Sequence, residues 1–308
     1  MKVLVTGGAG FIGSHVADAC LAAGHDVFIV DNLCTGRREN LPAAARFYEA
    51  DLCDAQTLDR IFAAELPEAI CHLAARANVR ESMVKPVLYA ETNVIGSLTL
   101  LEMARKYGTK KVVYASTGGA AYGEPEYLPV DEEHPINPLD PYGASKHHVE
   151  HYMRIYGLQF GVDYTVLRFP NVYGPRQDPY GEAGVVAIFA NQMLKGQTPT
   201  IFGSGLQERD FVYVADVARA NVLALTAGSG EILNLGSGLG TSINTIFQQL
   251  LTITGCDCAE IHGPAKQGEV FKIYLAAERA RASLGWQPEI PLEEGLARTV
   301  EHFRQAAS

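Results

Sequence analysis

The chain has 308 residues, is 47% hydrophobic and carries a formal net charge of −10 at pH 7. This size and composition predict a globular protein with a substantial core, built as one large domain or two smaller ones. The acidic balance disfavours a general nucleic-acid or membrane-surface binder, because most of the surface would repel polyanions.

Short β-branched runs alternate with helical patterns through the first half of the chain. This alternation is typical of βαβ units, so we predict an α/β fold with a Rossmann-type doubly wound parallel sheet. The first run, "KVLVT", is too short for the apolar part of a signal peptide, and no later run approaches the length of a membrane span. The predicted strands cover 2–6, 26–31, 69–75 and 111–116, and the first helix covers 11–24.

The loop between the first strand and the first helix is rich in glycine. The segment "VTGGAGFIGSH" places Gly7, Gly10 and Gly13 there and also fits the form Gly-x-Gly-x-x-Gly. Glycine lets the backbone turn tightly and approach a pyrophosphate, whose charge is then stabilised by open N–H groups at the helix N-terminus. The strand–loop–helix context therefore predicts a dinucleotide site.

The second predicted strand ends in Asp31. A carboxylate at this position binds the 2′-hydroxyl of an adenosine ribose and repels a 2′-phosphate, which favours NAD over NADP. Arg37 and Arg38 follow closely and weaken this preference, because a guanidinium would accept the extra phosphate.

Two longer helices are predicted over 86–107 and 141–156. For the second helix, Asp140 is a suitable N-cap, Pro141 occupies the first helical position, and Gly157 follows the last turn.

Tyr142 and Lys146 lie one turn apart on a single face of this second helix. A free tyrosine has a pKa of about 10 and is a poor base at neutral pH. The charge of Lys146 and the positive end of the helix dipole both favour the phenolate, which predicts a lowered pKa for Tyr142. A tyrosine tuned in this way can take a proton from an alcohol while a nicotinamide takes the hydride from the same carbon.

After residue 170 the regular alternation ends. Residues 174–184 are rich in Gly and Pro and predict a loop entering a second region, while 231–238 predicts a further strand. The predicted organisation is an NAD-binding Rossmann domain over 1–170, with a return of the chain around 210–236, and a smaller, mixed C-terminal substrate-binding region over 171–209 and 237–308.

Motifs along nearly the whole chain occur in the order found in the extended short-chain dehydrogenases that act on nucleotide sugars, and the chain resembles that family. The resemblance implies tightly held NAD, a UDP-sugar substrate, and 4-epimerisation of UDP-galactose or UDP-glucose through a 4-keto intermediate. The motifs are "TGGAGFIGSH" (6–15), "DNL" (31–33), "DL" (51–52), "HLAA" (72–75), "YAST" (114–117), "YGASK" (142–146), "RFPNVYGPRQ" (168–177) and "QERDFVYVADVA" (207–218).

The same resemblance implies roles for individual residues. The cofactor would be held by Gly7, Gly10, Phe11, Ile12, Gly13, Asp31, Asn32, Thr35, Gly36, Asp51, Leu52, Leu73, Ala74, Ala75, Asn93, Tyr142 and Lys146. The substrate would contact Thr117, Tyr142, Asn171, Arg209, Lys266 and Glu269. The family usually has arginine where this chain has Lys266, and lysine lacks the bidentate fork of arginine.

The segment after the predicted strand over 111–116 departs from the family pattern. Related dehydratases carry an Asp-Glu pair just after the catalytic threonine, where this chain has Gly118 and Gly119. A dehydratase or decarboxylase is therefore disfavoured. Many epimerases have a catalytic serine at the position of Gly118, so the catalytic hydroxyl is assigned to Thr117, with Ser116 as the alternative. Ile273 falls near a position whose side chain, in the family, limits the size of the substituent at C2 of the sugar. Isoleucine is neither large nor tiny, so N-acetylated sugars are not excluded as substrates.

Other readings stay open with less support. No metal site is predicted, because His147 and His151 share a helix face without an evident third ligand, and the six cysteines show no four-ligand zinc spacing. Reduced thiols indicate a cytoplasmic protein.

A non-enzymatic protein that only senses NAD is an alternative function class. It is disfavoured, because such a protein would not need Tyr142 and Lys146 together. The family's four-helix interface implies a homodimer built from the helices predicted over 86–107 and 141–156.

Overall fold

The structure is a computed structural model and describes residues 1–180, 184–266 and 268–307. The strands, in chain order, are β1 Lys2–Thr6, β2 Asp26–Asp31, β3 Arg46–Glu49, β4 Ala69–His72, β5 Lys111–Thr117, β6 Asp163–Phe169, β7 Asn171–Tyr173, β8 Thr200–Phe202, β9 Glu208–Arg209, β10 Phe211–Tyr213, β11 Glu231–Asn234, β12 Thr241–Ser242, β13 Ile261–Gly263 and β14 Lys272–Ile273.

Helices connect the strands and cover the sheet. They are α1 Phe11–Ala22, α2 Ala55–Glu65, α3 Val79–Val84, α4 Pro86–Tyr89, α5 Gly96–Tyr107, α6 Pro141–Phe160, α7 Val185–Leu194, α8 Val214–Ala224, α9 Ile243–Thr254, α10 Glu278–Leu284 and α11 Leu292–Ala307. In the described part of the chain, no helix has both the length and the apolar character that a membrane span requires.

The main sheet confirms the predicted fold class. Seven strands of the described residues pair in parallel in the order β11-β6-β5-β4-β1-β2-β3. Helices bury both faces, so the central strands are continuous apolar runs rather than alternating ones. The strand order reverses between β1 and β4, and ligands bind in the crevice outside the carboxyl ends of the strands at such a point.

The predicted helix over 86–107 forms, with one irregular turn. Helix α4 continues through a π-helical turn, Ala90–Ile95, into α5. π-Helical turns are frequent at functional sites, and this one carries Asn93.

Helix α6 begins as predicted, because Asp140 accepts a hydrogen bond from the Gly143 N–H and Pro141 occupies the first turn. The predicted end at residue 156 is wrong. Gly157 lies inside the helix, where a Cβ would approach the Tyr164 ring to 3.0 Å. The helix ends instead at Gly161, whose φ of +71° suits a glycine cap.

The C-terminal part of the chain adds smaller sheets and a third core. Strand β7 pairs with β10 and β8 with β13, while β12, β9 and β14 form a three-stranded sheet. Helices α7, α9 and α11 pack against one another around the third core. Residues 181–183 of the predicted loop over 174–184 lie outside the described residues.

Candidate active site

A groove opens at the carboxyl ends of β1 and β4, as the strand order requires. Two of the residues predicted to bind the cofactor lie behind its surface: Gly36 packs against Asp31, and Asn93 is buried. The predicted cofactor residues that line the groove are Gly7, Gly10, Phe11, Ile12, Gly13, Asp31, Asn32, Thr35, Asp51, Leu52, Leu73, Ala74, Ala75, Tyr142 and Lys146.

The glycine loop has no room for side chains. Gly7 has a φ of +69°, and a Cβ there would lie 2.7 Å from the Ala74 nitrogen. A Cβ on Gly13 would lie 2.0 Å from the Gly7 carbonyl oxygen. Gly10 immediately precedes α1, whose first N–H groups have no intrahelical acceptor. These features fit a pyrophosphate held against the helix N-terminus.

Asp31 closes the other end of the dinucleotide groove. Its carboxylate accepts hydrogen bonds from the N–H groups of Ala9 (3.0 Å) and Leu33 (2.8 Å). Burial raises the pKa of Asp31, and these two hydrogen bonds oppose that rise. The carboxylate is thus fixed between the glycine loop and the end of β2, where it fits a ribose 2′-hydroxyl.

The two arginines that weakened the preference for NAD have carboxylate partners. Arg37 pairs with Glu39 (3.6 Å) and Asp178 (3.3 Å), and Arg38 pairs with Glu49. A 2′-phosphate would have to compete with these carboxylates, so the structure strengthens the preference for NAD.

Asn93 connects the groove to helix α6. Its side-chain oxygen accepts the Arg76 N–H (2.8 Å), and its amide donates to the Arg76 carbonyl (3.0 Å) and to Ser145 Oγ (2.9 Å). Ser145 Oγ in turn donates to the Tyr142 carbonyl (2.8 Å). The π-helical turn thereby fixes the start of α6 relative to the segment after β4.

Tyr142 and Lys146 meet at the groove, but their electrostatics differ from the sequence prediction. Burial raises the pKa of Tyr142 to about 12, a hydrogen bond with Thr117 opposes the rise, and the Asp140 carboxylate adds to it. Burial lowers the pKa of Lys146 to about 7. The predicted lowering of the Tyr142 pKa is therefore wrong for the protein's own groups, because desolvation dominates and the charge that acts on Tyr142, that of Asp140, is negative. Lys146 Nζ donates to the Ala115 carbonyl (2.6 Å).

The two candidate hydroxyls at the end of β5 have different partners. Thr117 hydrogen-bonds Tyr142 and accepts the Ala120 N–H (3.2 Å). Ser116 Oγ instead donates to the buried carboxylate of Glu150 (2.6 Å). This arrangement favours Thr117 over Ser116 as the hydroxyl that works with Tyr142.

Gly118, next to Thr117, is enclosed. A Cβ at this position would lie 2.3 Å from Leu275 Cδ1. An aspartate or glutamate there would have to displace the buried Leu275, whereas a Cβ on Gly119 meets nothing within 4 Å.

Besides Thr117 and Tyr142, four predicted substrate residues lie in the C-terminal part of the molecule. Asn171 begins β7 beside Phe211 of β10. Arg209 forms an ion pair with Glu269 (2.8 Å), so two of the predicted residues contact each other. Lys266 Nζ lies 4.5 Å from the centroid of the Phe202 ring. Gln267, the next residue in the chain, lies outside the described residues.

Ile273 is buried rather than open to a ligand. It is 4% exposed and packs with Tyr122, Val130 and Leu275. Ile273 would therefore influence a bound sugar only indirectly, through the packing of β14. In that strand Ile273 pairs in register with Arg209 of β9.

Neither the histidines of α6 nor Arg176 adds a site. The Nε2 atoms of His147 and His151 lie 3.2 Å apart, and His147 Nδ1 lies 3.1 Å from Glu150. Within 1–180, 184–266 and 268–307, no group of three or more His, Cys, Asp or Glu side chains is arranged to hold a metal ion. Arg176 pairs with Asp18 of α1 (2.6 Å) and ties the 174–180 loop to the Rossmann domain.

Sequence reasoning missed two buried residues near Tyr142 and Lys146, namely Glu150 and Arg168, which form a bidentate ion pair. Arg168 begins the motif "RFPNVYGPRQ", and its signal is a charge within an otherwise buried strand. Glu150 lies four residues after "YGASK", between the exposed residues His148 and His151, and carries no such signal.

The similarity to known proteins agrees with this geometry. The model of the NAD dependent epimerase/dehydratase family matches residues 3–236. The chain belongs to this family. The family resemblance and the NAD dependence predicted from the sequence are thereby confirmed.

Individual relatives match over essentially the full length. A putative UDP-glucose 4-epimerase of Methanocaldococcus jannaschii is 50% identical over 302 residues, which cover 98% of each chain. The crystal structure of a Thermotoga maritima UDP-glucose 4-epimerase with UDP-glucose has a TM-score of 0.99, 50% identity and 100% coverage of both chains. The Thermus thermophilus UDP-glucose 4-epimerase in complex with NAD has a TM-score of 0.94 and 44% identity, with coverage of 99% of this chain and 100% of the other.

Proposed function

We propose that this chain is an NAD-dependent UDP-hexose 4-epimerase that interconverts UDP-galactose and UDP-glucose by transient oxidation at C4. The observation that carries the proposal is the meeting of Tyr142 and Lys146 at a groove whose glycine loop and Asp31 fit NAD, with Thr117 hydrogen-bonded to Tyr142. Full-length similarity to UDP-glucose 4-epimerases supports the substrate class.

NAD would be held by the glycine loop and Asp31, and it would supply a reversible hydride acceptor for the sugar carbon and, in its oxidised form, a positive ring charge. Tyr142 removes the proton of the sugar 4-hydroxyl and later returns it. Thr117 holds the Tyr142 hydroxyl and the sugar oxygen together. Lys146, fixed on the Ala115 carbonyl, contributes positive charge that favours the phenolate.

Epimerisation requires the 4-ketose to present both faces, so the nucleotide must be held firmly while the sugar turns. Asn171, Arg209 and Lys266 are suited to bind the diphosphate, and Glu269 to bind a ribose hydroxyl. We place these residues in a substrate-binding region over 171–209 and 237–308, beside an NAD-binding domain over 1–170 with a return around 210–236.

A dehydratase is the competing member of the family. It needs an acid and a base beside Thr117 to expel water. Gly118 and Gly119 supply neither group, and a side chain at Gly118 would have to displace Leu275. This supports an epimerase rather than a dehydratase.

The decisive assay incubates the purified protein with UDP-galactose without added cofactor and follows the anomeric signals by proton NMR. We expect UDP-glucose to appear with no net redox change, because the cofactor is regenerated within each cycle. Loss of water in the mass spectrum of the product would identify a dehydratase. The absence of conversion with or without added NAD would contradict the proposal.

The Tyr142→Phe variant tests the mechanism. Removing the proton acceptor should lower kcat by about 10²- to 10⁴-fold. NAD released by denaturing the variant should match the wild-type amount, since the phenol is not needed to hold the pyrophosphate. Near-normal turnover with NAD bound would overturn the assigned role of Tyr142.

We further propose a homodimer formed through the helices around α6. Four apolar side chains on α3, α4 and the π-helical turn are more than half exposed, namely Met83, Val84, Val87 and Ile95. Ile155 is an exposed apolar side chain of α6, a helix that contacts α3, α4 and α5. Several exposed apolar side chains on helices that contact one another are typical of a protein interface.

We also infer a cytoplasmic enzyme. The six cysteines, all within the described residues, are free thiols. Reduced cysteines are typical of a reducing compartment.

A further inference from the structure

A buried carboxylate lies one helical turn after Lys146. The side chain of Glu150 is 2% exposed and receives hydrogen bonds from two strands. Ser116 Oγ of β5 donates to Oε1 (2.6 Å), while Arg168 of β6 donates through Nε (3.0 Å) and Nη2 (2.6 Å). His147 Nδ1 lies 3.1 Å from the second oxygen.

The cluster continues from Arg168 into the loop after β5. Arg168 Nη1 donates to the Tyr122 hydroxyl (2.7 Å), which donates to Asn234 Oδ1 (2.8 Å). The Asn234 amide group then donates to the Val130 carbonyl (3.1 Å). Glu150 is thereby connected through fixed polar contacts to β6, β11 and the segment that follows Thr117.

Lys146 is surrounded by groups that offer little compensation for its charge. Nζ contacts the Ala115 carbonyl and lies 4.7 Å from the centroid of the Tyr114 ring of β5. His72 of β4 is neutral, because burial lowers its pKa to about 3, and Tyr142 of α6 is neutral for the reason given above. Among the described residues that act on Lys146, Glu150 is the one whose charge favours the ammonium form.

We propose that Glu150 is a positioning residue that keeps Lys146 charged and fixes Ser116, and with it the end of β5, beside Tyr142. This inference rests on the proposed epimerase function. Glu150 takes no part in proton transfer itself, since its carboxylate oxygens are occupied by Ser116, Arg168 and His147.

The electrostatics support this role. Burial would raise the pKa of Glu150, but the hydrogen bonds from His147, Arg168 and Ser116 hold it at about 2, so the carboxylate stays charged at every working pH. Burial lowers the pKa of Lys146 to about 7, and Glu150 opposes that fall. The protonated lysine is lost as the pH rises through this pKa, so removing the Glu150 charge should move the loss to lower pH.

The competing interpretation is that Glu150 and Arg168 form a purely structural ion pair. Replacing one member of a buried pair leaves the other charge without compensation and destabilises the fold, whereas replacing both is often tolerated. A paired design therefore separates the two roles. The variants are Glu150→Gln, the double variant Glu150→Gln with Arg168→Gln, and His148→Gln as a control on the exposed side of the same helix.

The test follows Lys146 directly by NMR in protein labelled with ¹³C at lysine Cε. The resonance is identified by its loss in Lys146→Ala and by the ring-current shift from Tyr114. We expect the Lys146 titration midpoint to fall by about one pH unit in Glu150→Gln and to stay at the wild-type value in His148→Gln. The alkaline limb of kcat for UDP-galactose should shift in the same direction.

The double variant completes the test. We expect it to recover most of the thermal stability lost in Glu150→Gln while its Lys146 midpoint stays below the wild-type value. A wild-type midpoint in both variants would overturn the proposal and leave a structural ion pair. Because the titration does not require turnover, this failure is distinct from failure of the epimerase assay on the wild-type protein.

Discussion

Thr117 and Ser116 are adjacent in the sequence, but they belong to different hydrogen-bond systems. Thr117 bonds Tyr142, while Ser116 donates to Glu150. The alternation of side chains along a strand explains this division, since consecutive residues point to opposite faces. The Thr117 hydroxyl therefore reaches Tyr142, and the Ser116 hydroxyl reaches the buried ion pair of Glu150 and Arg168.

Replacing each hydroxyl in turn distinguishes the two positions. Thr117→Val should lower kcat by about 10- to 100-fold, because a hydrogen bond to a charged phenolate contributes about 1.5–3 kcal/mol. Ser116→Ala should cost about 1.5–3 kcal/mol of unfolding free energy, because its partner Glu150 is charged, and should affect kcat much less. Initial rates and urea denaturation measure both effects. A larger loss of kcat in Ser116→Ala would transfer the catalytic role to Ser116.

The sequence predicted the site residues whose signal is local. Gly7, Gly10 and Gly13, and the pair Tyr142 and Lys146, are recognised by spacing within one motif. The pKa of Tyr142 was not predictable in this way, because it depends on burial by elements distant in the chain. The partner of Ser116 was missed for the same reason, since Glu150 lies 34 residues further along.

At the scale of elements, helix α6 shows how two glycines with the same helix-ending signal behave differently. Gly157 was predicted to end the helix, but it lies inside it and makes room for Tyr164. Gly161 adopts the left-handed conformation of the cap. The sequence could not separate these roles, because the contact with Tyr164 is formed only in the folded protein.

Substitution of the capping glycine tests this assignment. Gly161→Ala should destabilise the protein by about 1–2 kcal/mol, because an alanine is strained at positive φ, although a Cβ there meets nothing within 4 Å. Gly161→Asn should cost less, since asparagine tolerates this conformation. Urea midpoints provide the measurement. Equal stability of the alanine variant and the wild type would contradict the assignment.

Two other elements were missed for related reasons. Strand β3, Arg46–Glu49, is a four-residue edge strand that pairs with β2 on one side, so its pattern is too short to recognise. The π-helical turn, Ala90–Ile95, keeps the periodicity of the surrounding helix. Asn93 in this turn hydrogen-bonds Arg76 and Ser145, which are distant in the chain, so the local sequence pattern does not reveal the turn.

At the scale of the whole molecule, the parallel main sheet was predicted by the βαβ alternation, and the dinucleotide site at its edge was predicted by the glycine loop. The small sheets of the C-terminal part were not predicted, because strands of two or three residues carry no periodic signal. Non-local contacts, such as the pairing of Val130 with Leu275, connect this part of the chain to the segment after β5.

The proposed homodimer is tested by placing a charge within its proposed interface. Val87 is 68% exposed, and a symmetric interface contains it twice. Val87→Glu should raise the dimer dissociation constant by about 100-fold or more, because burying an unpaired carboxylate is costly. Sedimentation velocity should show monomers for this variant. Leu239→Glu, at a site that is 69% exposed in the C-terminal part, should remain dimeric. A monomeric wild-type protein at micromolar concentration would refute the interface.

The close approach of Leu275 to Gly118 joins two segments that are far apart in the chain. Leu275 is fixed by pairing with Val130 and by a hydrogen bond from its N–H to Asp210 (3.0 Å). During synthesis, the glycine loop and Asp31 leave the ribosome long before Leu275 does. We therefore expect the segment behind Thr117 to gain its support only after the first residues of the groove have been made, and competence to react to follow the docking of the segment that carries Leu275.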